Sequence, residues 1–294
     1  MKNLKLKKTL VSGFILATIT YSLAFAADTG SCGTNCTYHY DPTTQTLTYS
    51  ADNNIANNNK VIIQKTNVLF GLSGAVKNVI INEGITGITT DGKQYAGLQD
   101  IGMTSGKLVI PDSFQIGQRS MLGLGFGTIE IGNNVNIGYY SFRFKNNANP
   151  KIIMSANSNV EFDENAFERG YTPASLNIFC KGNPDICVAK FGNSLNKIKG
   201  TVTADYYREY DDSGNIILEY NDNGYVKYDK DGKINQYDLT DNFLGAYIYD
   251  AGGNMIAQFD ANGVATYKRT SYTPTEASSA VKKGNNNKIT FTFK

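Results

Sequence analysis

The chain has 294 residues, with 28 basic and 26 acidic side chains, one His, no Trp, 29 Gly and 19 Tyr. So even a balance of charge excludes a strongly basic nucleic-acid binder. The mix of Gly, Tyr and Asn around short apolar runs favours strands and tight turns over helices, so the expected fold class is mainly β.

Residues 1–26 read as a cleavable signal peptide. Lys2, Lys5, Lys7 and Lys8 precede an apolar run from Leu10 to Phe25, which closes on Ala24-Phe25-Ala26, the small-x-small pattern of a cleavage site. A membrane anchor needs about 20 predominantly apolar residues, and this run is shorter and carries Ser and Thr. No later segment has the apolar length to span a bilayer. Cleavage removes four of the 28 basic residues, leaving 24 against 26 acids and a formal charge of −2. The slight basicity therefore belongs to the leader, and the expected location is outside the cytoplasm.

Cys32 and Cys36 form one close pair of cysteines, Cys180 and Cys187 another. An oxidising compartment favours two local disulfides, although four cysteines allow three connectivities. Cys-x3-Cys and Cys-x6-Cys are poor copies of zinc-ligand spacing, and the lone His39 adds little. Neither a metal nor a cofactor is expected.

Five apolar segments then recur, ending at Ile81, Ile110, Ile131, Met154 and Ile178, spaced by 29, 21, 23 and 24 residues. Repeats of this length form one strand and a return turn, and bury their apolar faces only by stacking, as in a short solenoid. The two-residue period of a strand turns Val79/Ile81, Leu108/Ile110, Ile129/Ile131, Ile152/Met154 and Leu176/Ile178 inward. It turns Ile80, Val109, Glu130, Ile153 and Asn177 outward in one column, the candidate binding face. Three segments continue alike, as Asn82-Glu-Gly-Ile85, Pro111-Asp-Ser-Phe114 and Gly132-Asn-Asn-Val135. Then come Ile116-Gly117 and Met121 in one copy and Ile137-Gly138 and Tyr140-Ser-Phe142 in the next, and the fourth copy ends similarly in Asn165-Ala-Phe167.

These runs resemble the BspA-type leucine-rich repeat, in which a strand leads into an I-P-x-x-V-x-x-I-G-x-x-A-F consensus. The segment from Cys32 to Cys36, with a hairpin of 37–40 and 47–49 around Asp41-Pro42, is similar to the cap that precedes such arrays. The resemblance covers about residues 31–182. It implies a secreted or surface protein used for adhesion or protein contact, with no catalytic residues.

From Tyr206 the pattern changes. Tyr210, Tyr220, Tyr228, Tyr249 and Phe259 each open an aromatic-Asp/Asn-x-x-Gly motif, closing on Gly214, Gly224, Gly232, Gly253 and Gly263. Such motifs between β-branched residues signal hairpins, and they resemble the tyrosine-aspartate repeats of bacterial surface and secreted proteins. Calcium at Asp229-Lys-Asp231-Gly232 fails the twelve-position test, because Thr240 stands where an EF-hand needs Glu. The tyrosines have two readings, cross-strand packing and a carbohydrate-stacking platform, with packing favoured.

Thr273-Pro-Thr-Glu276 reads as a helix start, with a helix running to about Lys283. Residues 288–294 alternate as one half-buried strand, docked at a sheet edge or donated in self-association. The expected organisation is a signal at 1–26, a cap hairpin at 27–60, the leucine-rich-repeat solenoid at 61–200, tyrosine-aspartate hairpins at 201–270, and a helix plus strand at 271–294.

No nucleophile elbow, phosphate loop, dinucleotide fingerprint or His-Glu-x-x-His motif occurs. Glu161, Asp163 and Glu164 are sequence neighbours in a turn, a poor layout for the two flanking carboxylates of a glycosidase. The expectation is a non-catalytic exported binding or adhesion protein for an extracellular protein or glycan. A self-assembling surface protein and a glycan-acting enzyme are the alternatives.

Overall fold

A computed structural model describes residues 29–52, 61–64, 75–89, 98, 100–145, 149–167, 175–198, 200–229, 233–250, 254–267, 282–283 and 289–290. The expected signal peptide at 1–26 lies outside the described residues, as does the expected helix up to residue 281.

The chain is mainly β. Three antiparallel strands open it: β1 (Thr29–Gly33), β2 (Cys36–Asp41) and β3 (Thr46–Ala51). The last two are the expected cap hairpin, turned where the Asp41 carboxylate accepts from the Thr43 N–H at 2.8 Å and the Thr44 hydroxyl at 2.7 Å. Cys32 and Cys36 stand at disulfide distance across the first turn, 1.95 Å between sulfurs.

A repeating parallel arrangement follows. β4 (Val61–Ile63), β5 (Asn78–Ile81) and β6 (Ile85–Ile88) begin it. One full unit is β7 (Lys107–Ile110), β8 (Gln115–Ile116) and β9 (Met121–Leu124), and the next is β10 (Thr128–Ile131), β11 (Asn136–Ile137) and β12 (Phe142–Phe144). β13 (Lys151–Ser155), β14 (Glu161–Phe162) and β15 (Ser175–Lys181) continue the series. The first strand of each unit joins one nine-stranded sheet, in the order β1-β2-β3-β5-β7-β10-β13-β15 and then a final strand, parallel from β3 onward. The second strands form a parallel sheet in the order β14-β11-β8-β6-β4, and β9 pairs with β12 in a third.

The five predicted segments are thus sheet neighbours, and all ten residues assigned inward are buried. The return turn recurs as well: Gly84, Ser113 and Asn134 occupy equivalent places with φ of 88°, 57° and 54°, which Gly adopts freely and Ser only at a cost. Two buried serines tie units together. Ser120 Oγ donates to the Ile88 carbonyl at 3.2 Å and Ser141 Oγ to that of Gly117 at 2.8 Å. Beneath them lies an aromatic cluster, in which the Phe167 ring is 6.1–6.3 Å from those of Phe142, Phe144, Phe162 and Phe191.

The C-terminal end of this core is closed by α1 (Pro184–Lys190), which was not anticipated although Asn183-Pro184-Asp185 carries the signal. Asn183 caps the helix by accepting from the Asp185 N–H at 2.9 Å, and Pro suits the first turn. Cys187 stands 1.98 Å from Cys180 at disulfide distance, and Phe191 stacks on Phe162 at 4.1 Å. No helix among the described residues is long and apolar enough to cross a membrane.

β16 (Thr201–Tyr206) pairs parallel with β15 as the ninth strand. The expected boundary at residue 200 therefore moves to Tyr207, because 201–206 belongs to the parallel sheet. A seven-stranded antiparallel meander follows: β17 (Arg208–Tyr210), β18 (Ile216–Asn221), β19 (Gly224–Tyr228), β20 (Lys233–Asp238), β21 (Phe243–Tyr249), β22 (Met255–Phe259) and β23 (Ala265–Tyr267). At the end, β24 (Lys282–Lys283) pairs antiparallel with β25 (Ile289–Thr290). Lys282 and Lys283 are thus in a strand, not in the expected helix. Ile289–Thr290 finds its partner close by in sequence, where loop closure costs least, and not at the edge of a large sheet.

Phe167→Ala removes the ring at the centre of the aromatic cluster and is expected to cost about 3–5 kcal/mol. Urea unfolding followed by circular dichroism measures this as a lower midpoint at unchanged slope.

Candidate binding cleft on the outer sheet face

The outer face of the nine-stranded sheet is where the sequence points, and the register decides which residues meet there. Ile80 and Val109 directly follow the Val79–Leu108 pair. Val109 then stands opposite Glu130, Glu130 opposite Ile153, and Ile153 opposite Phe179. Asn177 is not in this column: it lies opposite Lys151, two residues earlier. A shift of two keeps every side chain on its predicted face, which is why the alternation pattern could not detect it.

Exposure divides the column. Ile80 and Val109 are 47 % and 40 % exposed, whereas Ile153, beside Phe179 and Glu130, is only 6 % exposed. The expectation of an open face at Ile153 is thus corrected, for its neighbours across the strands leave it buried. β18 packs against β15 and β16. Tyr207, the single residue joining the two sheets, donates its N–H to the Cys180 carbonyl at 2.8 Å and accepts from the Tyr220 N–H at 3.0 Å.

Glu130 is the electrostatic centre of the junction. Its two carboxylate oxygens receive Lys107 Nζ and Lys181 Nζ, each at 2.6 Å. Burial pushes this carboxyl up, but the two ammonium groups outweigh it and hold it below the ordinary glutamate value. Lys181 Nζ also lies 5.4 Å from the centre of the Tyr207 ring, a cation–π contact that links the sheets. Burial, and then the nearby Glu209 carboxylate, raise the Tyr207 phenol above its usual range.

A cleft of about 540 Å³ opens beside this network. Val109, Glu130, Asp112, Asn133, Ser155 and Lys181 line it. Leu239 and Thr240, from the turn between β20 and β21, also line it. Gly182, with φ 128°, packs so closely on Ala156 that a side chain there would stand 2.6 Å from the Ala156 methyl, and the Leu239 methyl groups lie in ordinary contact beside it. The arrangement can hold a ligand by apolar contact with hydrogen bonds at the edge.

The seven-stranded sheet packs some of its tyrosines and leaves others open. Tyr207, Tyr220, Tyr225, Tyr237 and Phe243 form a cross-strand ladder with ring separations of 6.1, 4.9, 4.9 and 5.6 Å. Burial raises Tyr220 to about 12, as packing rather than solvent contact requires. Tyr210, Tyr228 and Tyr249 are instead 56 %, 37 % and 40 % exposed. Only Tyr220 among the motif-leading aromatics joins the ladder. Tyr225 and Tyr237 were overlooked because neither opens a motif with glycine at its fifth position: Tyr225 is followed by Val226, and the Tyr237-Asp238 copy has Asp241 there.

Three motif aspartates close their own hairpins. Asp211 accepts from the Ser213 and Asn215 N–H groups at 2.9 and 2.8 Å, Asp250 from the Asn254 N–H at 2.8 Å, and Asp260 from the Val264 N–H at 2.8 Å. A further copy has no glycine: Asp238 accepts from Thr240 and Asn242 at 2.8 and 2.9 Å, and Asp241 takes the left-handed position with φ 66° where Gly214 has 83°. Hydrogen bonds from Asn242, then from Thr240, hold the Asp238 carboxyl down to about 2. These lone pairs serve the turns. Asp229 accepts from Asn235 Nδ2 at 3.1 Å.

The remaining sequence candidates are local features. His39 is exposed on β2, opposite Thr48. Asp163 accepts from the Asn165 N–H at 2.8 Å and Glu164 from its side-chain amide at 3.1 Å, an ordinary turn. Among the described residues no group of three or more His, Cys, Asp or Glu side chains gathers around a metal-sized space. Comparison with protein-family models, curated proteins and solved structures finds no match.

Glu130→Gln tests the junction. The folded carboxyl titrates below the unfolded one, so its stabilisation is complete above the ordinary glutamate range and is lost as pH falls through the lowered value. The substitution is expected to cost about 1–2 kcal/mol near neutral pH, between the surface and buried ranges for ion pairs. Urea midpoints measured down to about pH 3, beneath the usual glutamate value, should fall less steeply with acid in the variant than in the wild type.

Proposed function

We propose that the chain is an exported, non-catalytic binding protein of the BspA-type leucine-rich-repeat kind, which holds an extracellular protein or glycan against the outer face of its nine-stranded sheet. One observation carries the reading: Ile80 and Val109 stand side by side on that face, 47 % and 40 % exposed, next to the cleft. Adjacent apolar side chains left open on a sheet are a mark of an interaction surface. Export is supported by the leader pattern at 1–26 and by cysteine pairs at disulfide distance, which persist outside reducing compartments. A non-catalytic role is supported by the motifs the sequence carries, which are repeat and turn motifs throughout.

The test is capture on a panel of secreted proteins and purified glycans. The Ile80→Asp/Val109→Asp double variant should fold normally by circular dichroism and lose roughly tenfold or more in affinity for whatever the wild type captures, the effect of about 1.4 kcal/mol. Unchanged capture would overturn the assignment. Ile153→Asp, by contrast, buries a charge in the same column and should lower the unfolding midpoint.

A further inference from the structure

Two residues before the apolar column, the same face carries a second row. Lys107, Thr128, Lys151, Asn177 and Thr203 stand side by side on β7, β10, β13, β15 and β16. None of them lines the cleft under Leu239. Lys151 and Thr203 are exposed, and the Lys107 side chain keeps 44 % of its surface open. Thr203 Oγ1 donates to Asn177 Oδ1 at 2.9 Å, which aligns an amide and a hydroxyl along the row. The Lys151 ammonium is poised 5.9 Å from the centre of the Phe179 ring.

The charge on this face leaves one lysine without an acidic partner on the strands. From β5 to β16 the outward strand positions hold Lys107, Lys151 and Lys181 against Glu130 and Asp205. Asp205 is bound by Arg208 at 3.2 Å, and Glu130 is shared by two of the lysines. A positive surplus thus remains, concentrated at Lys151, on a chain whose acids outnumber its bases once the leader is removed.

Spacing narrows the complement. Lys107 and Lys151 are two strands apart, about 9.6 Å at the usual strand separation of about 4.8 Å. Same-side groups of an extended peptide recur every ~6.8 Å, out of step with this interval. One disaccharide of an extended polysaccharide spans it.

We infer that the outer face binds a linear anionic glycan, with carboxylate or sulfate on alternate sugars, laid across the strands along the row from Lys107 to Thr203. The inference deepens the proposed binding function and rests on it. Lys107 and Lys151 meet successive anionic groups. Thr128, Asn177 and Thr203 exchange hydrogen bonds with sugar hydroxyls, and the apolar ring faces lie on Ile80 and Val109.

The experiment titrates the purified chain with hyaluronate, whose carboxylates stand on alternate sugars, chondroitin sulfate, neutral dextran and poly-glutamate by calorimetry. Both anionic glycans should bind, and their affinity should fall roughly tenfold between about 50 and 200 mM salt as counterion release predicts for a few charge contacts. Lys151→Gln should weaken binding about fivefold, as the loss of one lysine facing an anionic surface does. Lys107→Gln/Lys151→Gln should weaken it further, while Lys227→Gln on the other sheet leaves it unchanged. Lys151 takes no part in the Glu130 ion pairs, so its variant tests the row without disturbing that junction. Equal binding of dextran, tighter binding of poly-glutamate, no binding of either anionic glycan, or an unaltered Lys151→Gln affinity each overturns the inference. If a protein or neutral glycan is captured through Ile80 and Val109 while the anionic glycans are not bound, this inference falls and the binding function stands. If the Ile80→Asp/Val109→Asp variant captures everything the wild type captures, both fall.

Discussion

The constraint on which the molecule depends is the in-register parallel stacking of short strands whose inward side chains are too few to bury themselves alone. A four-residue strand such as Lys107–Ile110 offers only Leu108 and Ile110 to a core. With Thr128–Ile131 on one side and Asn78–Ile81 on the other, those two side chains become fully buried, and the backbone groups of each strand find partners in both neighbours. The connections between strands vary in length, yet the register stays regular, since added residues can leave as loops at little entropic cost. The ends of such a stack are the vulnerable places. The β1–β3 meander closes one, and α1 with Phe191 covers the aromatic cluster near the other.

The second sheet changes what the first can do. It grows directly from β16 through Tyr207, so the two sheets share backbone hydrogen bonds rather than a flexible linker. Glu130, Lys181 and Tyr207 bind the junction by charge and ring contact. The outer face is thereby divided: Ile153 is buried beside Phe179 and Glu130, while Ile80, Val109, Lys151 and Thr203 stay exposed. A face that would otherwise be uniform thereby acquires a wall, an open strip and a cleft between them.

The seven-stranded sheet shows how one local rule can support a whole meander. At Asp211, Asp238 and Asp260 the carboxylate accepts from the N–H groups two and four residues on and closes a five-residue turn, with little need for a particular glycine, as Asp238 demonstrates with Asp241 in the left-handed position. The aromatic side chains then stabilise neighbouring strands from one face only, in line with cross-strand pairing as the unit of sheet stability. Tyr210, Tyr228 and Tyr249 stay in solvent.

The sequence alone determined the β class, the five stacked segments, their inward residues, the cap hairpin and the cysteine pairs, all of which rest on short-range periodicity and spacing. It also located the hairpin repeats, because Asp and Gly act within a single turn. Tertiary structure alone decided the rest. Whether Asn177 or Phe179 stands beside Ile153 is a choice between registers that differ by two residues and preserve the same pattern of faces. Whether 201–206 belongs to the first sheet or the second depends on a parallel partner, Ser175–Lys181, some 26 residues earlier. The burial of Ile153 depends on neighbours from other strands, Glu130 on one side and Phe179 on the other. Local pattern specifies which way a side chain points; only the packing of distant segments specifies what it meets there.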